Sequence, residues 1–194
     1  MQRLLLAATA ALLLTACADS SQSPAAPASP RFASGDKWTI FTTQTPASTL
    51  DATGGWEVGT RFYATVNGCI TRVRFYRAAG ETGTNTIKLW TNTGTLLHTE
   101  TINLGNTGWN YVELRDHGLG PSVDLSVCIL KGTYYRISVN TNSKQVKTMG
   151  FFDSGPVIHG PLVADKGYYG QPTGSMPTTA TGSGFFVDVT FTES

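Results

Sequence analysis

The sequence predicts an all-β domain, a two-sheet antiparallel β-sandwich of jelly-roll type, on three observations. Apolar and polar residues alternate over several short runs, and no long run follows the helical period. Threonine, valine and aromatic residues, which suit a pleated and half-buried surface, fill those runs. Twenty-one glycines in 194 residues, with Asn, Asp and Pro, separate them.

Alternation is clearest at Val58-x-Thr60-x-Phe62-x-Ala64-x-Val66. It recurs at Thr71-x-Val73-x-Phe75, Val123-x-Leu125-x-Val127-x-Ile129, Tyr135-x-Ile137-x-Val139 and Phe185-x-Val187-x-Val189-x-Phe191. Each run turns one apolar face to a core and one polar face outward, as a half-buried antiparallel strand does. Weaker strands are expected at Trp38–Thr43, Thr86–Thr91, Leu96–Leu104, Tyr111–Arg115 and Val146–Phe152. Some ten strands joined by turns suit a sandwich. The stretch from Asp153 to Gly184 lacks alternation and is rich in Gly, Pro and Thr, so long loops are expected there, and long ordered loops often carry function. There is no internal repeat.

Ahead of this domain, Arg3 precedes an uninterrupted apolar stretch from Leu4 to Leu14. The stretch is short of the roughly 20 apolar residues that span a bilayer and suits the core of a signal peptide. Leu14-Thr15-Ala16-Cys17 follows, and it resembles the lipobox of bacterial lipoproteins. The resemblance implies that residues 1–16 are a signal peptide cleaved before Cys17, with a diacylglyceryl thioether on the Cys17 sulfur. The residue must be cysteine because its thiolate is the nucleophile that takes the lipid. Two or three acyl chains make an effectively permanent membrane anchor, since each buried methylene contributes about 0.8 kcal/mol. Ala18 follows Cys17 where an aspartate would redirect sorting, a pattern that resembles delivery to the outer membrane or cell surface in a host with an outer membrane. Residues 17–36 are Ala, Ser, Pro and Gln with little else, and Pro24, Pro27 and Pro30 are evenly spaced. Nothing there can bury apolar surface, so this segment reads as a tether. The β-sandwich domain then occupies residues 37–194.

Charge limits the partners. Lys and Arg number 14 against 13 Asp and Glu, and loss of Arg3 with the signal leaves 13 against 13. A neutral chain is unsuited to nucleic acid, which draws on many uncompensated basic residues.

The strands carry a recognisable series. Glu57-Val58-Gly59-Thr60-Arg61-Phe62 comes first, then Gly68-x-Ile70-x-x-Val73-Arg74-Phe75-Tyr76-Arg77, then Leu89-Trp90 and Thr93-Gly94-x-Leu96-Leu97. Gly108-Trp109-x-x-Val112, Gly132-x-x-Tyr135, Met176-Pro177 and Phe186-Val187-Asp188-Val189-Thr190-Phe191 complete it. In this order the motifs resemble the bacterial domain of unknown function 4082 family across about Trp38 to Thr192. The resemblance implies an exported surface sandwich of a kind often found beside immunoglobulin-like or cadherin-like modules or glycoside hydrolases. The family has no established activity, so the resemblance only hints at carbohydrate, and a fold does not by itself define a function. Two departures stand out: Cys69 sits where the family has a polar residue, and the stretch from Arg115 to Leu130 is longer and carries Cys128.

Cys69 and Cys128 are then an even pair in an oxidising compartment, either bridged or two separate thiols. Cys69 shares parity with the inward Val73 and Phe75 whereas Cys128 is out of phase with Val127 and Ile129, so a bridge requires a bulge or a strand end. For catalysis the residues offer little. His98, His117 and His159 lack metal-ligand spacing, no G-x-S-x-G elbow is present, and Glu57, Asp124 and Asp188 suit turns and outer faces as well as a glycosidase pair. The chain is therefore expected to be non-catalytic and without a cofactor. A structural calcium held by Glu57 and Asp188 is one alternative, and a pairing of Asp188 with Arg61 or Arg74 is the other.

Aromatic residues out of phase with the core are the binding candidates: Trp90, Tyr76 and Phe186, with Tyr63 and Tyr134. Flat rings meet the apolar C–H faces of sugars, and Arg72, Arg74 and Arg77 would supply a polar rim. The alternative is that loops or arginine stems cover these rings. Trp56 and Trp109 follow Gly-rich turns and read as loop-tip contacts or as plugs at the ends of the sandwich. The expected function is a lipid-anchored envelope module that binds a glycan or another extracellular ligand. The rival is a structural or adhesive module whose partner is another envelope protein, and a hydrolase stands third.

Overall fold

A computed structural model describes residues 35–103, 105–116 and 123–194. The signal segment, Cys17, the tether to residue 34 and His117 lie outside the described residues.

Among the described residues the regular structure is entirely β. One sheet has five strands: β1 (Lys37–Thr39), β16 (Val187–Glu193), β4 (Gly68–Arg77), and β7 (Gly108–Glu113) and β10 (Val127–Ile129), which pair with successive parts of β4. The other has seven: β14 (Leu162–Gly170), β3 (Trp56–Ala64), β11 (Tyr135–Thr141), β5 (Asn85–Thr91) and β6 (Leu96–Ile102) in that order. β13 (Val157–His159) and β15 (Thr179–Thr181) both pair with β14. Every pairing is antiparallel. Two short ribbons stand apart: β2 (Ser48–Asp51) with β12 (Lys144–Lys147), and β8 (Arg115–Asp116) with β9 (Val123–Asp124).

The core lies between the sheets. Val58, Phe62, Ile87, Leu89, Ile137 and Val139 come from the larger one, and Ile70, Val73, Phe75, Val187, Val189 and Phe191 from the smaller. Apart from Ile70, these are the positions that the sequence pattern turned inward. Area removed from water at about 25 cal/mol per Å² makes this packing the main term holding the sheets together.

Four stretches depart from the expected pattern. Residues 153–184 are not all loop, because β14 runs through them and pairs with β3 along its length. Its alternation is masked because Leu162, Val163, Ala164, Gly167 and Tyr168 are all buried and because Asp165 forms a bulge. Gly167 is required there, since a Cβ would stand 1.9 Å from the Ser183 carbonyl oxygen. The expected run Val123–Ile129 is broken into β9 and β10, and the run Val146–Phe152 ends as a strand at Lys147. Finally, β4 slips by one residue against β16 around Thr71, so Cys69 falls out of phase with Val73 and Phe75. Cys69 then stands opposite Cys128 in the β4–β10 pairing, and the two form a disulfide.

Candidate functional site

The residues singled out as sugar platforms fall on two different sheets. Trp90 is on the outer face of the seven-stranded sheet, is 6% exposed, and donates from Nε1 to Ser138 Oγ at 2.9 Å. Tyr76 and Phe186 belong to the outer face of the five-stranded sheet. Their parity is as expected, but their surroundings are closed.

On the larger sheet, residues 171–178 cross the outer face from β14 to the β5–β6 turn. Gln171 Nε2 donates to the Gly55 carbonyl at 2.7 Å, the Gly174 amide to Glu57 Oε2 at 2.9 Å, and Arg136 Nη1 to the Pro177 carbonyl at 2.7 Å. Met176 reaches Gly94 in the turn. Arg136 lies opposite Trp90 in the strand register and stacks on Tyr168, with Cζ 3.8 Å from the ring centroid. Burial lowers the pKa of its guanidinium below the ordinary value. Glu57 beneath this strap is fully buried. It accepts from Ser138 Oγ at 2.6 Å and from Lys88 Nζ at 3.2 Å as well as from Gly174. Further along the same face Arg61 is paired with Asp165 at 2.6 Å and lies over Tyr134, whose ring meets Tyr63 edge-on.

On the smaller sheet, Phe186 has no exposed surface and touches Phe41, Trp109 and Phe151. Its backbone takes φ 54°, a conformation rare for a bulky residue, and its carbonyl accepts from the Tyr76 amide. Tyr76 meets Trp109 edge-on at 5.7 Å, and Arg74 lies over the Trp109 ring at 4.2 Å. Arg74 also bonds Asp188 Oδ2 at 2.7 Å and the Phe41 carbonyl. Asp188 further accepts from the amides of Ile40 at 2.8 Å, Phe41 at 3.1 Å and Val189 at 2.7 Å. Burial pushes the Asp188 carboxyl up, while Arg74 and the Ile40 and Phe41 amides pull it the other way. Arg72 is bound to Glu113, and Arg77 is buried on Asn85 and the Glu81 carbonyl. The three arginines are thus occupied within the fold and do not form a free rim.

The calcium alternative fails on this geometry. Glu57 and Asp188 lie on the outer faces of different sheets, and each is filled by a cation and by backbone or hydroxyl donors, so the two cannot share one ion. They also do not face each other across a cleft, as a glycosidase pair would. His98 bonds Glu100 at 2.7 Å and His159 bonds the Thr39 carbonyl at 2.7 Å. Asp124 is exposed on the β8–β9 ribbon.

An open aromatic concavity lies beside the β2–β12 ribbon. Trp56, Tyr169, Phe185, Gln145 and Lys147 line a groove of about 250 Å³. Trp56 opens β3, Tyr169 is near the end of β14, and Phe185 stands two residues before β16, so three strand ends converge. The Trp56 and Tyr169 rings are 6.0 Å apart and tilted by 58°, and Tyr169 and Phe185 are 6.4 Å apart. Gln145 and Lys147 are two residues apart on β12 and therefore share one side of the ribbon, with Val146 turned into the core. Gln145 Oε1 is buried and has no hydrogen-bond partner. Lys147 Nζ lies 5.9 Å from the Phe185 ring centroid. Sequence reasoning noted Trp56 only as a loop-tip contact or plug and overlooked Tyr169, Phe185, Gln145 and Lys147. Tyr169 fell in a presumed loop, and Phe185 read as core.

The ribbon is fixed from behind by Glu81. Its carboxylate accepts from three successive amides, Asn142 at 2.7 Å, Ser143 at 2.9 Å and Lys144 at 2.6 Å, and from Asn85 Nδ2 at 3.0 Å. Burial alone would push this carboxyl up, but the amides outweigh it and hold it below the ordinary range.

The chain is thus an antiparallel β-sandwich with both outer faces largely closed and an aromatic groove beside one ribbon. It belongs to the family described as domain of unknown function DUF4082, whose model matches residues 42–187. No curated protein matches the chain.

Proposed function

We propose that this protein is a non-catalytic, lipid-anchored module of the cell envelope that binds glycan in the groove of Trp56, Tyr169 and Phe185. The carrying observation is the combination of tilted aromatic walls with an amide oxygen, Gln145 Oε1, that is buried and unbonded. Rings suit the apolar faces of a pyranose, and an unmet acceptor suits a sugar hydroxyl. A buried polar atom left unsatisfied costs about 1–3 kcal/mol, a cost removed when the Gln145 amide turns into the groove and accepts from a ligand hydroxyl.

The groove is open and shallow, which fits a saccharide chain lying across it better than a small molecule enclosed in a pocket. Lipidation at Cys17 would hold the module on the membrane, and the Pro-rich tether would keep it clear of the headgroups. A polysaccharide panel tests the binding claim: the wild-type protein is expected to retain at least one glycan, and Trp56→Ala to lose it with its circular dichroism unchanged. No retention across a broad panel would dismiss the reading. Radiolabelled palmitate incorporation, abolished by Cys17→Ser, tests the anchor.

A further inference from the structure

We infer that the sugar recognised in this groove is anionic, carrying a carboxylate or a sulfate ester, with Lys147 as the residue that selects it. The inference rests on the glycan reading above and adds the class of sugar. Among the described residues that line the groove Lys147 is the charged one, and no carboxylate stands among them.

The neighbouring lysine sharpens the point. Lys144, three residues earlier on the same strand, is bound by Asp51 across the ribbon. Lys147 pairs in register with Ser48, whose hydroxyl is spent on the Lys147 carbonyl, so the ribbon offers its ammonium no counterion. What it has instead is the face of Phe185, an aromatic contact that keeps a cation over apolar ground without neutralising it. Arg61, Arg72, Arg74 and Lys88 have carboxylate partners, and the buried Arg77 and Arg136 are held by amide and carbonyl oxygens. Lys147 in the groove has the Phe185 ring beside its ammonium instead.

The chemistry of the site follows. One sugar face stacks on Trp56 or Tyr169, a hydroxyl donates to Gln145 Oε1, and the acidic substituent meets Lys147. An ammonium is a compact point charge with no preference for planar anions, so it accepts a carboxylate and a sulfate alike. With 14 basic and 13 acidic residues the chain has little overall field to draw an anion in, so selectivity depends on this one local charge.

The test is titration calorimetry of the full-length protein in detergent with matched pairs: polygalacturonate, alginate and hyaluronate, each beside its carboxyl-reduced derivative, and dextran sulfate beside dextran. The acidic member of at least one pair is expected to bind about three- to tenfold more tightly at low salt, with the advantage shrinking at about 0.5 M salt. Lys147→Met should remove the acidic member's advantage, bringing the two members of the pair to a common affinity, while Trp56→Ala removes the binding of both. Equal affinity within every pair, or a preference that survives Lys147→Met, overturns the inference and leaves the glycan reading intact. If neither member of any pair binds, both readings fall together.

Discussion

Trp90 and Trp56 belong to the same seven-stranded sheet, yet one is sealed and the other open. Trp90 points away from the core, where alternation alone suggests an accessible platform, and it is buried beside the strap of residues 171–178. Trp56 shares parity with the core residue Val58 and still borders a groove, because it stands at the end of its strand. Parity tells which side of a sheet a ring is on. It does not tell whether chain from elsewhere covers that side, and here both outer faces are covered by segments distant in sequence.

The strongest way to break this comparison is to remove what secures a cover. Asp188 pins Ile40 and Phe41 onto the smaller sheet and neutralises Arg74. Asp188→Ala leaves a largely buried guanidinium unpaired and is expected to cost about 3–5 kcal/mol in denaturant unfolding. Trp56, Tyr169, Gln145 and Lys147 are on other elements, so glycan binding by the folded fraction should persist.

The two tryptophans provide the direct contrast. Trp90→Ala removes a buried ring and the partner of Ser138 and should cost about 3 kcal/mol, with binding retained. Trp56→Ala should cost about 1–2 kcal/mol, because the ring is only half buried, and should abolish binding. If Trp90→Ala instead abolished binding in a folded protein, the outer face and not the groove would be the site.

Much of the fold was legible because a two-residue period survives wherever the outer face carries polar side chains, even where that face is covered. Val58 to Ala64, Tyr135 to Val139 and Val187 to Phe191 are such runs. β14 was invisible because Leu162, Val163 and Ala164 are apolar in succession and Asp165 is bulged, which removes the period. The Cys69–Cys128 pairing conflicted with simple parity, and the slip around Thr71, which no local signal announces, reconciles it. The groove was the least legible feature. It is assembled from three strand ends and a ribbon, and its polar groups are defined by what they fail to meet, a property of the tertiary arrangement.

The disulfide gives a smaller effect that separates stability from function. It closes a loop with a sequence separation of 59 and lies near the Ala64 end of β3, at the other end of that strand from Trp56. Reduction, or a Cys69→Ser/Cys128→Ser double variant, should lower stability by about 2–3 kcal/mol through the unfolded chain. Binding measured well below the new melting temperature should not change. A change in affinity on reduction would mean that the groove is coupled to the far end of the sandwich.

The smallest effect tests whether the open region is held as firmly as the closed ones. Glu81 fixes residues 142–144, immediately before Gln145, through three amide hydrogen bonds that need its charged form. Its folded carboxyl lies below the ordinary value, so its contribution is fully present above about pH 4.3 and is lost as pH falls through the folded value. Glu81→Gln should therefore cost about 1–2 kcal/mol at neutral pH, and the gap to wild type should close in acid as the native carboxylate takes up its proton. Because the same turn carries Gln145 and Lys147, the variant should also weaken binding at neutral pH, whereas Asp188→Ala should not. A stability gap between Glu81→Gln and wild type that stayed constant down to about pH 3 would show that the amides hold a neutral acid as well as an anion, and that the groove wall owes nothing to this charge.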